Sequence, residues 1–162
     1  MSAIALDSQE FLLQRVQPAL TGLIDGSLST IAPIFSVALY TQNPHAAFIA
    51  GTATAIAAGI SMAYSEGLSD TGELTGRGNP VVRGAITGAG TFTGGILHTL
   101  PFLIPHFRAA LISAVLVVAF ELLALAWLRW RFFRTSFVSS LAYVTLAGIV
   151  IAGVSATLGA TG

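Results

Sequence analysis

Long apolar runs separated by short polar breaks dominate the pattern of hydrophobic and polar positions along the chain. Five of these runs approach the roughly 20 residues that a helix needs to cross about 30 Å of hydrocarbon. Lipid offers the backbone no hydrogen-bond partners, so each run is predicted to be a helix. The pattern therefore predicts an all-α integral membrane protein with five transmembrane helices, at residues 18–40, 46–68, 81–104, 107–127 and 137–158.

The breaks between the runs agree with this division. Residues 42–44 read as a turn, residues 69–80 are the only long polar connection, and residues 129–136 form a basic loop. Pro33 and Pro101 lie inside predicted spans, where each is expected to kink its helix. With no internal repeat visible, we predict one membrane domain at residues 16–162, preceded by a short cytoplasmic segment at residues 1–15 that is unlike a cleaved signal peptide.

Composition and charge support a membrane protein and indicate its orientation. The chain is 54% hydrophobic and only 9% charged, whereas soluble domains carry about a quarter charged residues. Cytoplasmic loops are enriched in Lys and Arg, so the side with more arginines is predicted to be cytoplasmic, which places the N-terminus inside and the C-terminus outside. Only Arg108 falls on the outer side, and the inner side carries Arg15, Arg77, Arg83, Arg129, Arg131 and Arg134.

Several classes of function receive no support from the sequence. The net charge is zero and the arginines are scattered, so no nucleic-acid partner is expected. The absence of cysteine excludes disulfides, thiolate metal ligands and a cysteine nucleophile. No H-E-x-x-H motif is present, and we expect neither enzymatic activity nor a resident cofactor.

A polar stripe in the first span is the most informative feature. Thr21, Asp25 and Ser29 repeat at helical spacing, and Gly22 and Gly26 beside them would let another backbone approach closely. An ionised carboxylate at the centre of a membrane costs at least about 2.5 to 3.5 kcal/mol, so such residues usually face a partner or a cavity. The pattern predicts a polar seam between helices.

Further ligand-type side chains lie in the other spans. Met62 and Glu66 share one face of the second helix, beside small residues that permit tight packing. Glu121 lies in the fourth span, and His98 ends a polar row in the third; from helical rise we expect these two about 12 Å apart in depth and not in contact. Carboxylates and imidazole suit Mn²⁺ and Fe²⁺, whereas a thioether favours softer ions and contributes little to the binding of Mg²⁺ or Ca²⁺, so the set suggests a divalent transition metal. The small residues are Gly51, Ala55, Gly59, Ala63 and Gly67, and the row is Arg83, Thr87, Thr91 and His98.

Each candidate also has a purely structural interpretation. Asp25 could be a packing residue bonded to a hydroxyl, and Met62 could simply fill space. Glu66 could reach into water or pair with Arg77 or Arg83, and Glu121 could bond a threonine of the third helix. His98 could be neutral and bonded to a carbonyl freed by Pro101. The connection residues Asp70, Glu73 and Arg77 are predicted to be solvated.

Two runs of residues resemble a known family. Residues 20–30, LTGLIDGSLST, and residues 58–69, AGISMAYSEGLS, resemble the first- and second-helix signatures of the vacuolar iron transporter family. Residues 74–80, 95–105 and 121–130 resemble more narrowly the transporter half of bacterial membrane-bound ferritin. The resemblance implies a homodimer in the cell (inner) membrane that exports Fe²⁺ or Mn²⁺ in exchange for protons. By position, Asp25 is the pathway acid, Met62 the pathway methionine and Glu66 the second-helix carboxylate.

The chain departs from this family in two ways. Eukaryotic members insert long, glutamate-rich cytoplasmic helices between the second and third spans, where this chain offers only Asp70 and Glu73. Membrane-bound ferritin carries a ferritin-like domain before the first span, where this chain has about fifteen residues. We therefore expect metal capture at the inner mouth or delivery by a separate cytoplasmic protein. The alternative function is a non-transporting membrane module that binds metal or assembles helices.

Overall fold

The computed structural model describes residues 9–160, and all the regular structure in that range is helical. Residues 1–8 of the predicted N-terminal segment lie outside the described part. A short 3₁₀ turn, Leu100–Leu103, lies between the third and fourth helices. The five helices are α1 (Gln9–Thr41), α2 (Pro44–Gly67), α3 (Pro80–Leu97), α4 (Phe107–Phe133) and α5 (Phe137–Ala160).

Four of the five helices are long and apolar enough to cross a membrane, namely α1, α2, α4 and α5. Their bounds agree closely with four of the predicted spans. The all-helical prediction is confirmed, and the length and composition of these four helices support a membrane protein. The shorter α3 is not among the four, because it is less apolar. It packs between α1 and α2.

Helix α1 is broken near its middle. Its first half, Gln17–Ser29, and its second half, Ile31–Thr41, meet at Thr30. Pro33 has no N–H with which to bond the carbonyl of Ser29, so the α-helical ladder is interrupted there. The interruption that Pro33 permits is therefore observed, and residues 9–16, which include a π-helical turn at Leu12–Val16, form the start of α1.

The third predicted span is not one helix. Instead, α3 ends at Leu97, because Pro101 lacks the N–H that would bond the Leu97 carbonyl. The chain then makes the 3₁₀ turn and becomes extended at Ile104. Leu103 and Pro105 line one small cavity with residues 43–45 at the start of α2. Residues 98–106 therefore connect the end of α3 to the start of α4.

Helix α3 lies between α1 and α2, with its backbone almost touching both. A Cβ atom added to Gly22 or Gly26 of α1 would lie 2.1 Å from the Thr87 carbonyl oxygen or 1.9 Å from that of Thr91, respectively. The close approach predicted for this glycine pair is confirmed. The polar row of α3 lies in this packed region, and Arg83, Thr87, Thr91 and His98 are fully buried.

The opposite side of α3 packs equally closely on the small residues of α2. A Cβ atom on Gly84 would lie 2.4 Å from the Ala63 carbonyl oxygen, and one on Gly88 would lie 2.6 Å from that of Gly59. The tight packing predicted for the small residues of α2 is confirmed. With glycines on both sides, α3 can be buried although its own composition is less apolar than that of its neighbours.

Two apolar clusters show that consecutive helices run in opposite directions. One cluster joins Leu20 of α1 to Leu125 near the end of α4 and Val144 near the start of α5. The other lies toward the opposite end of the bundle and contains Ile31, Ile34, Phe35, Ala38, Ala47, Phe102, Ala110 and Ala114. The end of the bundle nearer Leu20 therefore carries the end of α4, with Arg129 and Arg131, and we call it the arginine-rich end.

Candidate functional sites

The stripe of Thr21, Asp25 and Ser29 lies on the outside of the bundle. Gly22 and Gly26 face α3, and the adjacent stripe is rotated from them by about 100° around the helix. Thr21 and Ser29 are exposed, and Asp25 is half-buried. The Asp25 carboxylate has no hydrogen bond or ion pair with any of residues 9–160. Residues 9–160 therefore provide no hydrogen-bond or ion-pair partner for Asp25 in the predicted seam.

The predicted metal ligands are not gathered into one site within a single chain. Met62 is half-buried on α2, whereas the first half of α1, which carries Asp25, packs chiefly on α3. No hydrogen bond or ion pair among the described residues links Asp25 to Met62 or Glu66. Within residues 9–160, no group of three or more His, Asp or Glu side chains is placed to hold a metal ion.

Glu66 is held by two arginines at the end of α2. Its Oε1 accepts hydrogen bonds from Arg77 Nη2 at 2.6 Å and from Arg83 Nε at 2.5 Å. The Arg83 side chain is fully buried, and that of Arg77 is 23% exposed. The structural interpretation, in which Glu66 pairs with an arginine, is therefore confirmed, and it pairs with both. A metal ion that binds Glu66 must compete with two guanidinium groups.

Asp70 joins the same network, which we call the arginine clamp: Glu66, Asp70, Arg77 and Arg83. Asp70 Oδ2 lies 3.2 Å from Arg77 Nη1 and 3.3 Å from Arg83 Nη2. The prediction that Asp70 and Arg77 are solvated was wrong, because the connection folds back over the end of α2; Glu73 is exposed as predicted. Two carboxylates and two guanidinium groups make the clamp neutral overall.

Arg83 also secures the connection through its backbone. Its Nη2 donates to the carbonyl oxygens of Glu66 and Asp70 at 3.2 and 3.1 Å and to Ser69 Oγ at 3.2 Å. Every nitrogen of this guanidinium therefore has at least one acceptor, since Nη1 reaches the carbonyls of Arg77 and Gly78 at 3.5 Å. A buried arginine needs such partners because an unpaired buried charge is very costly.

The environment of Asp70 changes its acidity. Desolvation raises the pKa of this carboxyl, but hydrogen bonds from Thr75 Oγ1 and the Gly72 N–H, together with the charges of Arg83 and Arg77, outweigh it, so the pKa is lower than the ordinary 3.8. A lowered pKa means that the ionised group stabilises the folded state above the ordinary pKa. That stabilisation is lost as the pH falls through the lowered pKa.

We expect a corresponding pH dependence of stability. The thermal stability of the purified protein should exceed that of Asp70→Asn by a constant margin from pH 7 to about pH 5. This margin should shrink as the pH falls below 3.8, because Asp70 becomes protonated in both the folded and the unfolded protein. Thermal unfolding of both proteins from pH 7 to pH 3 measures it, with Glu73→Gln as the exposed control. A margin that does not narrow in acid would contradict the role of the Asp70 charge.

A second polar cluster lies inside the bundle, and we call it the buried triad: Thr30, His98 and Glu121. His98 Nδ1 lies 2.9 Å from Glu121 Oε2, and His98 Nε2 lies 2.8 Å from Thr30 Oγ1. Thr30 and His98 are fully buried, and Glu121 is 5% exposed. The triad joins the break in α1 to the end of α3 and to the middle of α4.

The prediction that His98 and Glu121 lie apart was therefore wrong. It treated residues 81–104 as one straight helix, but α3 ends at Leu97 and leaves His98 well inside the bundle. In addition, α4 continues to Phe133, which moves the midpoint of that helix toward Glu121. The structural interpretations also named other partners. His98 hydrogen-bonds two side chains rather than a backbone carbonyl, and Glu121 hydrogen-bonds His98 rather than a threonine of the third helix.

The hydrogen bonds of the triad constrain its protons. Thr30 Oγ1 donates to the Gly26 carbonyl at 2.7 Å, so it accepts from an Nε2–H of His98. Nδ1 of His98 and Glu121 then share one proton, as imidazolium with carboxylate or as imidazole with carboxylic acid. Both arrangements are neutral overall.

Thr30 was not among the residues predicted to form a site. A signal for it exists, because Thr30 lies three residues before Pro33 just as His98 lies three residues before Pro101. In each case the proline interrupts the helix, and a polar side chain stands at the break. A comparison of the polar residues that lie three positions before Pro33 and Pro101 would therefore have linked Thr30 with His98.

Three candidate sites result from the described residues. The stripe around Asp25 has no polar partner within the described part of the chain, and the arginine clamp is neutral. The buried triad has one acceptor, Glu121 Oε1, that is buried without a hydrogen bond to any described residue. No family model, curated protein or solved structure matches the chain.

Proposed function

We propose that the protein is a homodimeric, proton-coupled exporter of Fe²⁺ or Mn²⁺ in the cell (inner) membrane. The observation that carries this proposal is the stripe of Thr21, Asp25 and Ser29, which faces outward with no polar partner from residues 9–160. The resemblance of residues 20–30 and 58–69 to the vacuolar iron transporter family supports the same function. The ion is cargo, and no resident cofactor is part of the proposal.

The position of Asp25 favours a second copy of the chain as its partner. An ionised carboxylate that faces acyl chains costs at least about 2.5 to 3.5 kcal/mol, so the lipid-facing arrangement is unfavourable. In a twofold dimer the same surface patch of both copies meets, so an α1–α1 contact brings two Asp25 side chains together. The glycines of α1 are already occupied by α3, so the stripe is the polar face that remains for this contact.

Proton exchange follows from the chemistry of paired carboxylates. Two adjacent carboxylates in a medium of low dielectric cannot both ionise cheaply, so the pair retains a proton. A divalent cation requires deprotonated ligands and therefore releases that proton when it binds. Met62 would add a thioether to the pathway, which favours softer transition-metal ions over Mg²⁺ or Ca²⁺.

The proposed topology has five crossings, with α3 and residues 98–106 together forming the third. The positive-inside rule then makes the arginine-rich end cytoplasmic, and the clamp lies at the inner mouth. Metal that arrives there, directly or from a separate donor protein, would displace Arg77 from Glu66 before Arg83, since Arg77 is the more exposed partner. The assignment of His98 and Glu121 to the pathway stays a prediction.

Asp25→Asn is the direct test. We expect it to abolish uptake of Fe²⁺ and Mn²⁺ into proteoliposomes under an imposed pH gradient, because the neutral amide cannot exchange a proton for a cation. Folding is checked by size-exclusion chromatography, and Glu73→Gln, which removes an exposed acid, should transport like the wild type. Wild-type transport rates in Asp25→Asn would refute the proposal.

The second candidate function is a membrane module that binds metal or assembles helices without transport. It is favoured by one observation: Glu66 and Glu121 both already bond groups of their own chain. Under this alternative, Asp25→Asn weakens the dimer, and the wild-type protein moves no metal into proteoliposomes. The same transport assay therefore separates the two functions.

A further inference from the structure

A polar cavity opens between α1 and the α4–α5 connection at the arginine-rich end. Its volume is about 290 Å³. Part of its wall is apolar, from Leu20, Ile24 and Phe133, and part is polar. The polar residues are Gln17, Thr21, Arg129 and Thr135.

Arg129 and Gln17, which line this cavity, each have one buried polar atom without a hydrogen-bond partner among the described residues, namely Arg129 Nε and Gln17 Oε1. Arg129 also has no carboxylate partner in residues 9–160, unlike Arg77 and Arg83. A buried donor or acceptor without a partner is costly, and more so for a charged group. The cavity therefore brings a cationic side chain without a carboxylate partner and a neutral amide side chain to the same ligand.

The location of the cavity suggests an amphiphilic ligand. Trp127 and Trp130 flank Arg129 near the end of α4 and are about half exposed, at 50% and 48%. Tryptophans of this kind mark the level of lipid headgroups. Basic pockets between helices at this level bind anionic headgroups, and the apolar wall can contact an acyl chain.

We propose that this cavity binds an anionic phospholipid whose headgroup carries a hydroxyl, such as phosphatidylglycerol. The phosphate accepts hydrogen bonds from the guanidinium of Arg129 and balances its charge. The headgroup hydroxyl hydrogen-bonds the side-chain amide of Gln17, and the first methylenes of one acyl chain pack on Leu20, Ile24 and Phe133. The proposal needs only that the protein lies in a membrane, and it is independent of transport.

Native mass spectrometry of the detergent-solubilised protein tests the phosphate contact. We expect the wild type to bind phosphatidylglycerol about tenfold more tightly than phosphatidylcholine, and Arg129→Ala to lose about tenfold in affinity for phosphatidylglycerol. The matched control is Arg131→Ala, which removes an exposed arginine two residues away and should bind as the wild type does. Equal losses in both variants, or no loss in Arg129→Ala, would overturn the proposal.

Two further measurements test whether the headgroup hydroxyl is recognised and whether the ligand is a lipid or a free anion. Phosphatidylmethanol has the same charge but no hydroxyl, so the wild type should prefer phosphatidylglycerol, and Gln17→Leu should remove that preference. Thermal unfolding with millimolar inorganic phosphate should show no stabilisation. If phosphate alone stabilises the protein as much as phosphatidylglycerol does, the cavity is a site for free anions and the lipid assignment is wrong.

Discussion

Gly26→Ala should strongly destabilise the protein, because the new Cβ atom would lie 1.9 Å from the carbonyl oxygen of Thr91. The obstructing atom belongs to the backbone of α3, so it cannot move aside as the end of a side chain could. Relief requires separation of α1 from α3, and overpacking of this kind costs about 1 to 3 kcal/mol. At about 2 to 4 °C per kcal/mol for a chain of this size, we expect the melting temperature in detergent to fall by roughly 2 to 12 °C.

Gly153→Ala is the matched control. Gly153 is also helical, but a Cβ atom there would meet nothing within 4 Å. Alanine is favoured over glycine in a helix by roughly 0.5 to 1 kcal/mol, so this variant should be as stable as the wild type or slightly more stable. The two melting temperatures, measured in the same detergent, isolate the effect of close packing. If Gly26→Ala and Gly153→Ala have the same melting temperature, α1 and α3 pack less closely than described.

The apolar pattern was sufficient to predict α1, α2, α4 and α5. These helices must satisfy their backbone hydrogen bonds within each segment, so length and hydropathy identify them without knowledge of tertiary contacts. Two ends differ appreciably: α1 already includes Gln9, whereas the predicted span begins at Pro18, and α4 continues to Phe133 rather than stopping at Trp127. Arginines beyond the tryptophans ended the apolar run in the sequence, but they do not end a helix.

The third span shows what the same pattern cannot predict. Residues 98–104 are mostly apolar, and hydropathy alone does not distinguish a continuous α-helix from a helix that is followed by a 3₁₀ turn. A uniform helical rise then placed His98 too far from Glu121. The buried triad was missed for this reason, although both of its titratable members had been recognised as candidates.

Contacts distant in sequence account for the remaining differences. The spacing of Gly22, Gly26 and Asp25 predicted a polar seam on α1 with a closely packed surface beside it. Only the packing of α3 shows which of these two surfaces is covered within the chain. The arginine clamp depends on how the connection folds, and Gly72, Gly76 and Gly78 turn it with positive φ angles. No local pattern specifies that Arg77 returns to Glu66.

Arg83→Met should have the second large effect. It removes one of the two cations that neutralise Glu66 and Asp70, and the remaining carboxylates keep only the half-buried Arg77. Removal of one partner from a buried ion pair typically costs about 3 to 5 kcal/mol, because the other charge remains buried without compensation. Arg77→Met, which removes the more exposed arginine, should cost less.

A double-mutant cycle with Glu66→Met identifies the source of this loss. If the ion pair dominates, Arg83→Met/Glu66→Met should unfold at a denaturant concentration well above that expected from the summed single losses, since neither charge is left unpaired. Arg83 also donates to the carbonyls of Glu66 and Asp70, which the double variant does not restore. Additive losses would therefore contradict the ion-pair explanation and show that Arg83 stabilises the fold through the backbone of the connection.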